Sequence, residues 1–271
     1  MKISRIKIEE LSFIRIYSAI KRRLLALPHR IMWNIDKGAK INRQRLRSFK
    51  DVYKGQRCFL IANGPSLSKT NVNLLKNEIT FGLNRIYLNY PNMNFRPTFL
   101  VSINKLVLSQ FADDFNNESM IKFFNWQSRK YFKKDSNTLY LEKNFCSKKF
   151  SKNISYSINP AATVTYAALQ IIYFMGFKEV YIIGMDHSFT FKGKPNEKQI
   201  VKETFDKNHF SSNYFPKGYK WETPDLFSTE YFYRIANNEF KKAGKKIYDA
   251  TIDGKCNIFD KVNFNKISFK K

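Results

Sequence analysis

The chain has little cysteine, and what it has is dispersed. Cys58, Cys146 and Cys256 are its three, odd in number and far apart. No Cys-x-x-Cys pair and no Cys/His zinc spacing occurs, which argues against a disulfide framework and fits a reducing cytoplasm. Long apolar runs are missing too. No stretch of about 18 apolar residues exists, so no spanning helix is expected. The apolar residues after Met1-Lys2 are broken by charges, so this start is not read as a signal peptide. Glycine is scarce at ten residues. Neither Gly-x-Gly-x-x-Gly nor a loop ending Gly-Lys-Ser/Thr is present, which argues against nicotinamide and P-loop enzymes. A Gly-x-Ser-x-Gly elbow is absent as well, leaving no support for a hydrolase. Asp113-Asp114 is not the spaced Asp-x-Asp that would hold a metal–diphosphate, and no specific metal site is legible. Acidic residues number 22 against 48 Lys and Arg, a net charge of +26. Such an excess fits the wet Lys faces of an ordinary enzyme, an anionic membrane surface, or acidic sugar substrates. No nucleic-acid module of the usual types accompanies it, so nucleic acid is not an expected partner.

Residues 1–50 form a segment of their own. Leu11, Phe13, Ile14, Ile16, Ile20, Leu24, Leu25, Ile31, Met32 and Trp33 recur at near-helical spacing, interleaved with Lys21, Arg22, Arg23, Arg30, Arg43, Arg45 and Arg47. This predicts a basic amphipathic helix, kinked or broken at Pro28. Two readings stand: a helix lying on an anionic membrane face, or one packed on the domain. The expected location is the cytoplasm, with peripheral attachment to the inner membrane face as the membrane reading's consequence.

From Gln56 a βα rhythm begins, and residues 51–271 read as one domain. Strands are predicted at Cys58–Ala62, Ile79–Gly82, Thr98–Ile103, Ile121–Trp126, Val180–Ile183 and Lys246–Asp249. Leu67–Leu75 reads as a short helical turn. Helices are predicted at Ala162–Met175, apolar on nearly all sides and hence buried, and at Glu230–Ala243. Alternation of this kind implies an α/β, mostly parallel sheet flanked by helices. Residues 188–228 carry few periodic apolars and read as an irregular lid.

Ligands in such sheets bind beyond the carboxyl ends of the strands. Polar residues stand there: Asn63-Gly64, Asn84-Arg85, Ser102 and Asn104, and Asp186-His187. The turn Asn63-Gly64-Pro65-Ser66 suits a phosphate: Gly64 is expected at φ > 0, Pro65 fixes φ, and Ser66 caps the next helix. Three strand-end asparagines add hydrogen-bonding for a base, a ribose or phosphate oxygens. His187 and His209 are the candidate general bases, since imidazole titrates near neutrality.

Three stretches carry a resemblance: Phe59 to Leu67, Glu78 to Arg85, and Gly176 to Asp186. They are similar to the Rossmann-like domain shared by bacterial sialyltransferases of glycosyltransferase family 42, the motility accessory factors that glycosylate flagellin, and the 6-hydroxymethylpterin diphosphokinase MptE-like proteins. The resemblance covers roughly residues 55–260. It implies that Asn63, Asn84 and Asn104 meet a donor nucleotide, that the Ala162-Thr163 turn lies near its phosphate, and that Asp186 closes the last strand. It implies a catalytic histidine in the lid, which here is His209. The sialyltransferases' paired tyrosines have no counterpart in His187 to Lys192.

The expected activity is therefore metal-independent glycosyl transfer from a nucleotide sugar, with a CMP-nonulosonate as one candidate. The acceptor would be a glycan or a lipid-linked glycan of bacterial surface-polysaccharide or glycoconjugate synthesis. No cofactor is expected beyond the donor. Two alternatives stand beside it. One is diphosphate transfer from ATP to a pterin, for which Asp186, Glu222 and Asp225 would hold Mg²⁺. The other is a non-catalytic nucleotide-binding protein.

Overall fold

The computed structural model describes residues 13–161 and 163–270. Strands β1 (Arg57–Ile61), β2 (Thr80–Leu83), β3 (Phe99–Ser102), β4 (Ile121–Asn125) and β5 (Thr138–Leu141) come first in the chain. β6 (Glu179–Ile183), β9 (Lys246–Asp249) and β10 (Asp260–Lys261) complete an eight-stranded sheet, ordered β10-β9-β6-β1-β2-β3-β4-β5. Every pairing in it is parallel. The inner strands β1, β2, β3 and β6 are mostly apolar because both faces of the sheet are covered.

Alternate residues of β1 separate the two cores. Cys58 and Leu60 point into a core shared with helix α5 (Val164–Phe174) and helix α6 (Leu226–Lys242). Phe59 and Ile61 point into a second core with Leu67, Val72, Ile86, Val107 and Phe115. The second core is roofed by short 3₁₀ turns and by helices α3 (Lys105–Gln110) and α4 (Ala112–Asn116). α5 is buried nearly all round, as its composition predicts. α6 begins at Leu226, ahead of the predicted Glu230, because Asp225 caps it through Ser228 N–H.

The sheet is begun at its centre by β1, extends outward from β1 to β5, and then resumes on the other side of β1 with β6. The β1–β6 junction is thus the topological switch point, where loops leave in opposite directions and open a crevice.

Two N-terminal helices, α1 (Phe13–Ile35) and α2 (Lys37–Arg47), precede the sheet. α1 continues through Pro28 as one helix, so of the expected kink or break there is no break. α2 is built into the body. Its Ala39 and Leu46 are fully buried, and Asn42 exchanges two 2.8 Å hydrogen bonds with the Tyr140 backbone. Its side chain thereby covers the edge of β5, a place where an open strand invites aggregation. The lid is less irregular than predicted, since β7 (Lys198–Ile200) and β8 (Lys220–Glu222) pair antiparallel within it. No described helix is long and apolar enough to cross a membrane.

Candidate functional site

The turn after β1 is fixed from β2 and β6. Asn63 Nδ2 donates to Leu83 O at 2.9 Å, which ties the β1 and β2 ends together. Its Oδ1 is buried and has no hydrogen-bond partner among the described residues. A buried acceptor left empty costs about 1–3 kcal/mol. Gly64 N–H donates to Gly184 O at 2.8 Å.

Two expectations for this turn need correction. Gly64 sits at φ −71°, ψ 162°, an extended conformation open to any residue. What demands glycine is space, because an added Cβ would lie 1.9 Å from Asp186 Oδ2. Ser66 does not cap a helix. It lies inside the turn Pro65–Lys69, where its N–H donates to Asp186 Oδ1 at 2.9 Å and its hydroxyl to Oδ2 at 2.6 Å. The N–H expected to face a phosphate is satisfied by Asp186 instead, which locks the two switch-point loops together.

Left-handed backbone gathers around this crevice. Asn84 has φ 44°, Gly184 φ 68°, His187 φ 54°, and Ala161, ahead of α5, φ 44°. Such strain in non-glycine residues concentrates at sites that need an unusual side-chain direction. Asn84 Oδ1 accepts from Ser102 Oγ at 2.9 Å. Asn104, expected on the nucleotide, spends its Oδ1 capping α3 through Leu106 N–H at 2.9 Å. Thr163 caps α5 through Thr165 N–H at 3.3 Å. Because α5 runs back against the strands, its N-terminus lies at the crevice end of the sheet. Ala162 lies outside the described residues.

The lid supplies the remaining groups. Phe210 N–H donates to Asn63 O at 2.9 Å, which seats the lid loop on the β1 turn. Beside it, His209 stacks on Tyr214 with ring centroids 3.8 Å apart and planes 4° apart. His209 Nδ1 lies 2.8 Å from Asp206 Oδ2, a carboxylate that is itself almost buried. Burial raises the Tyr214 hydroxyl's pKa, so it stays protonated. Arg85 latches the lid. Its buried guanidinium donates to the Asn213 and Tyr214 carbonyls and stacks 3.6 Å from the Phe111 ring centroid. Gln110 forms a second latch, pairing with both backbone groups of Lys220 at 2.7 and 2.8 Å.

The two candidate histidines differ sharply. His187 is nearly buried, with Nε2 held 3.2 Å from Glu230 Oε1. His209 is held through Nδ1, leaving Nε2 for another partner. The site residues that sequence reasoning missed are Asp206, Tyr214 and the latching role of Arg85. Only Asp206 had a local signal, since it lies three residues before His209.

The carboxylates named for Mg²⁺ do not fit one site. Asp186 is bound to Ser66. Asp225 caps α6 and takes Asn196 Nδ2 at 2.8 Å. Glu222 is exposed on β8. Among the described residues no three His, Cys, Asp or Glu side chains cluster to hold a metal. A different pair stands at the end of β5. Glu142 is buried with neither carboxylate oxygen hydrogen-bonded among the described residues, and burial raises its pKa to about 7. Lys143, beside it, is lowered by desolvation to about 8.

Comparison with known proteins agrees with this architecture. No curated protein matches the sequence. Among solved structures, that of MAf glycosyltransferase from Magnetospirillum magneticum AMB-1 superposes with a TM-score of 0.52 at 15% identity, over 84% of this chain. This chain covers 39% of that protein's length, and the likeness is one of fold. The family model for 6-hydroxymethylpterin diphosphokinase MptE-like proteins matches residues 29–192, a span holding β1 to β6 and both switch-point loops. The chain belongs to the 6-hydroxymethylpterin diphosphokinase MptE-like family.

Proposed function

We propose that the protein is a glycosyltransferase that moves a sugar from a nucleotide donor to a hydroxyl of a glycan or lipid-linked acceptor in surface-glycan assembly. The observation that carries this reading is the His209–Asp206 pair, 2.8 Å apart, stacked on Tyr214 in a lid whose backbone is bonded to the β1 turn. Asp206 accepts from Nδ1–H and so fixes the tautomer that leaves the Nε2 lone pair free. In the closed complex the acceptor hydroxyl donates its proton to Nε2 as its oxygen attacks the anomeric carbon. The bond from that carbon to the nucleotide phosphate breaks, and the electron pair leaves with the phosphate.

Donor recognition falls to the switch point. Asn63 Oδ1 accepts from a base amine or a ribose hydroxyl, and the first-turn amides of α5 face the phosphate. The lid excludes water, which limits loss of donor to hydrolysis. A CMP-nonulosonate is one candidate donor.

A second reading, diphosphate transfer from ATP to a pterin, is favoured by the family's description. It uses the same lid base on a hydroxymethyl group, but Asp186, Glu222 and Asp225 do not converge to serve Mg²⁺. A thermal-shift panel of CMP, CDP, UDP, GDP and ATP, each with and without Mg²⁺, separates the readings when followed by turnover assays. Stabilisation by a CMP- or UDP-type ligand, with nucleotide release from the matching sugar donor, supports glycosyl transfer. Stabilisation by ATP with Mg²⁺, and AMP release in the presence of a hydroxymethylpterin, replaces it with the second reading. Nucleotide binding without turnover of any donor makes the protein a non-catalytic binder.

A further inference from the structure

α1 carries an apolar stripe that no described residue covers. Tyr17, Ile20, Leu24, Leu27, Ile31 and Ile35 follow one another at intervals of three or four residues, and each is between 49% and 72% exposed. At 3.6 residues per turn they share one face of the helix. The face that meets the domain is roughly opposite. There Trp33 is buried edge-on against Trp126 at 5.4 Å, and Trp126 Nε1 donates to His29 O at 3.2 Å. An uncovered row of large apolar side chains is costly in water and marks an interaction surface.

Charge identifies the partner. From Leu11 to Ile35 the sequence holds no acidic residue. Lys21 flanks the stripe on one side, and Arg23 and Arg30 flank it on the other, all exposed. In heptad terms Tyr17, Leu24 and Ile31 take one core position and Ile20 and Leu27 the other. Of the flanking positions, which carry opposite charges in paired coiled coils, Lys21, Arg23 and Arg30 are cationic, Pro28 is uncharged and none is acidic. A second copy of this helix would therefore meet like charge along both edges. An anionic lipid surface meets the same pattern favourably, with apolar side chains entering the headgroup boundary and Lys and Arg reaching the phosphates. A cleft of about 240 Å³ between α1 and residues 142–146 repeats this mixture, with Leu27 and Phe145 beside Arg23, Arg30 and Lys143, and Glu142 as its one acid.

We infer that α1 adsorbs flat on an anionic bilayer, its Tyr17-to-Ile35 stripe in the headgroup boundary. The residues that α1 packs against follow β4 and β5, so adsorption sets the crevice end of the sheet beside the lipid. The inference does not depend on the reaction catalysed.

Vesicle co-sedimentation of the full chain tests it, using phosphatidylcholine alone and phosphatidylcholine mixed with phosphatidylglycerol. The expected result is binding to the mixed vesicles only, weakening as salt rises. Leu24→Ser with Leu27→Ser should weaken binding by about tenfold or more per leucine. Lys21→Glu, Arg23→Glu and Arg30→Glu together should abolish it, at about fivefold or more per charge. These side chains are exposed, so the variants should melt with the wild type, and a melting curve on each checks this. No binding to mixed vesicles, or equal binding to both kinds, overturns the inference. A dimer in sedimentation velocity that the leucine variants dissolve, without vesicle binding, overturns it in favour of self-association.

Discussion

Gly64→Ala puts one methyl group into the tightest point of the switch-point junction. On the present backbone its Cβ would lie 1.9 Å from Asp186 Oδ2, 2.6 Å from the Asp186 Cγ and 2.7 Å from Gly184 O. The carbonyl cannot retreat without losing the bond it accepts from Gly64 N–H at 2.8 Å. The carboxylate can swing away, but it then abandons Ser66 N–H and Ser66 Oγ, 2.9 and 2.6 Å distant. Hydrogen bonds to a charged group are worth about 1.5–3 kcal/mol each, so the variant should lose about 3–5 kcal/mol. In a chain of this size that is a fall in Tm of about 6–10 °C. Adding Asp186→Ala should restore only part of the loss, because the clash with Gly184 O remains. Differential scanning calorimetry on both variants reads the result, and calorimetric titration with the stabilising nucleotide reads the site. A Gly64→Ala protein melting within about a degree of wild type would show that the junction is not close-packed, and the reasoning would fail.

Other perturbations give equally definite expectations. Asp206→Asn should keep the His209 stack and donor affinity but lower turnover by about 10²–10⁴, because the tautomer is no longer fixed; unchanged kcat would remove the pair from the mechanism. Arg85→Ala should free residues 205–219, seen as faster proteolytic cleavage there and as donor hydrolysis that outruns transfer; unchanged cleavage would mean the latch is elsewhere. Glu142 gives a pH signature. Its folded pKa of about 7 lies above its unfolded value, so the native state holds the extra proton. Stability should therefore fall as pH rises from about 4.5 to 7, by at most about 3 kcal/mol, and Glu142→Gln should flatten that slope and raise Tm at pH 8. An unchanged slope would show that the carboxyl is solvated or paired.

The sheet was legible where strands are apolar on both faces. β1, β2 and β3 announce themselves as buried runs followed by or ending in Asn or Ser, and β6 as a mostly buried run followed by Gly. β5 does not, because it is an edge strand whose protection comes from Asn42, 98 residues away, a contact with no local signature. The site divides in the same way. Asn63 and Asp186 stand at strand ends, which is why the sequence draws attention to them. The constraint on Gly64 comes from Asp186 across the sheet and not from its own φ. Asn104 follows a strand as Asn63 does, yet its oxygen serves α3. Arg85 and Tyr214 meet only when the lid folds back across 129 residues, so neither signalled its role. His209 could be singled out among three histidines, but its orientation depends on Asp206 and on the Tyr214 ring.

The most direct test of the account is nucleotide release from a panel of sugar donors by wild type and His209→Ala, with donor binding measured on both. The account predicts that one donor class, with an acceptor hydroxyl present, is turned over by wild type. It predicts that His209→Ala binds this donor as tightly and turns it over about 10²–10⁴ times more slowly. Full turnover by His209→Ala, or release of AMP from ATP with a pterin in place of any sugar transfer, would contradict it.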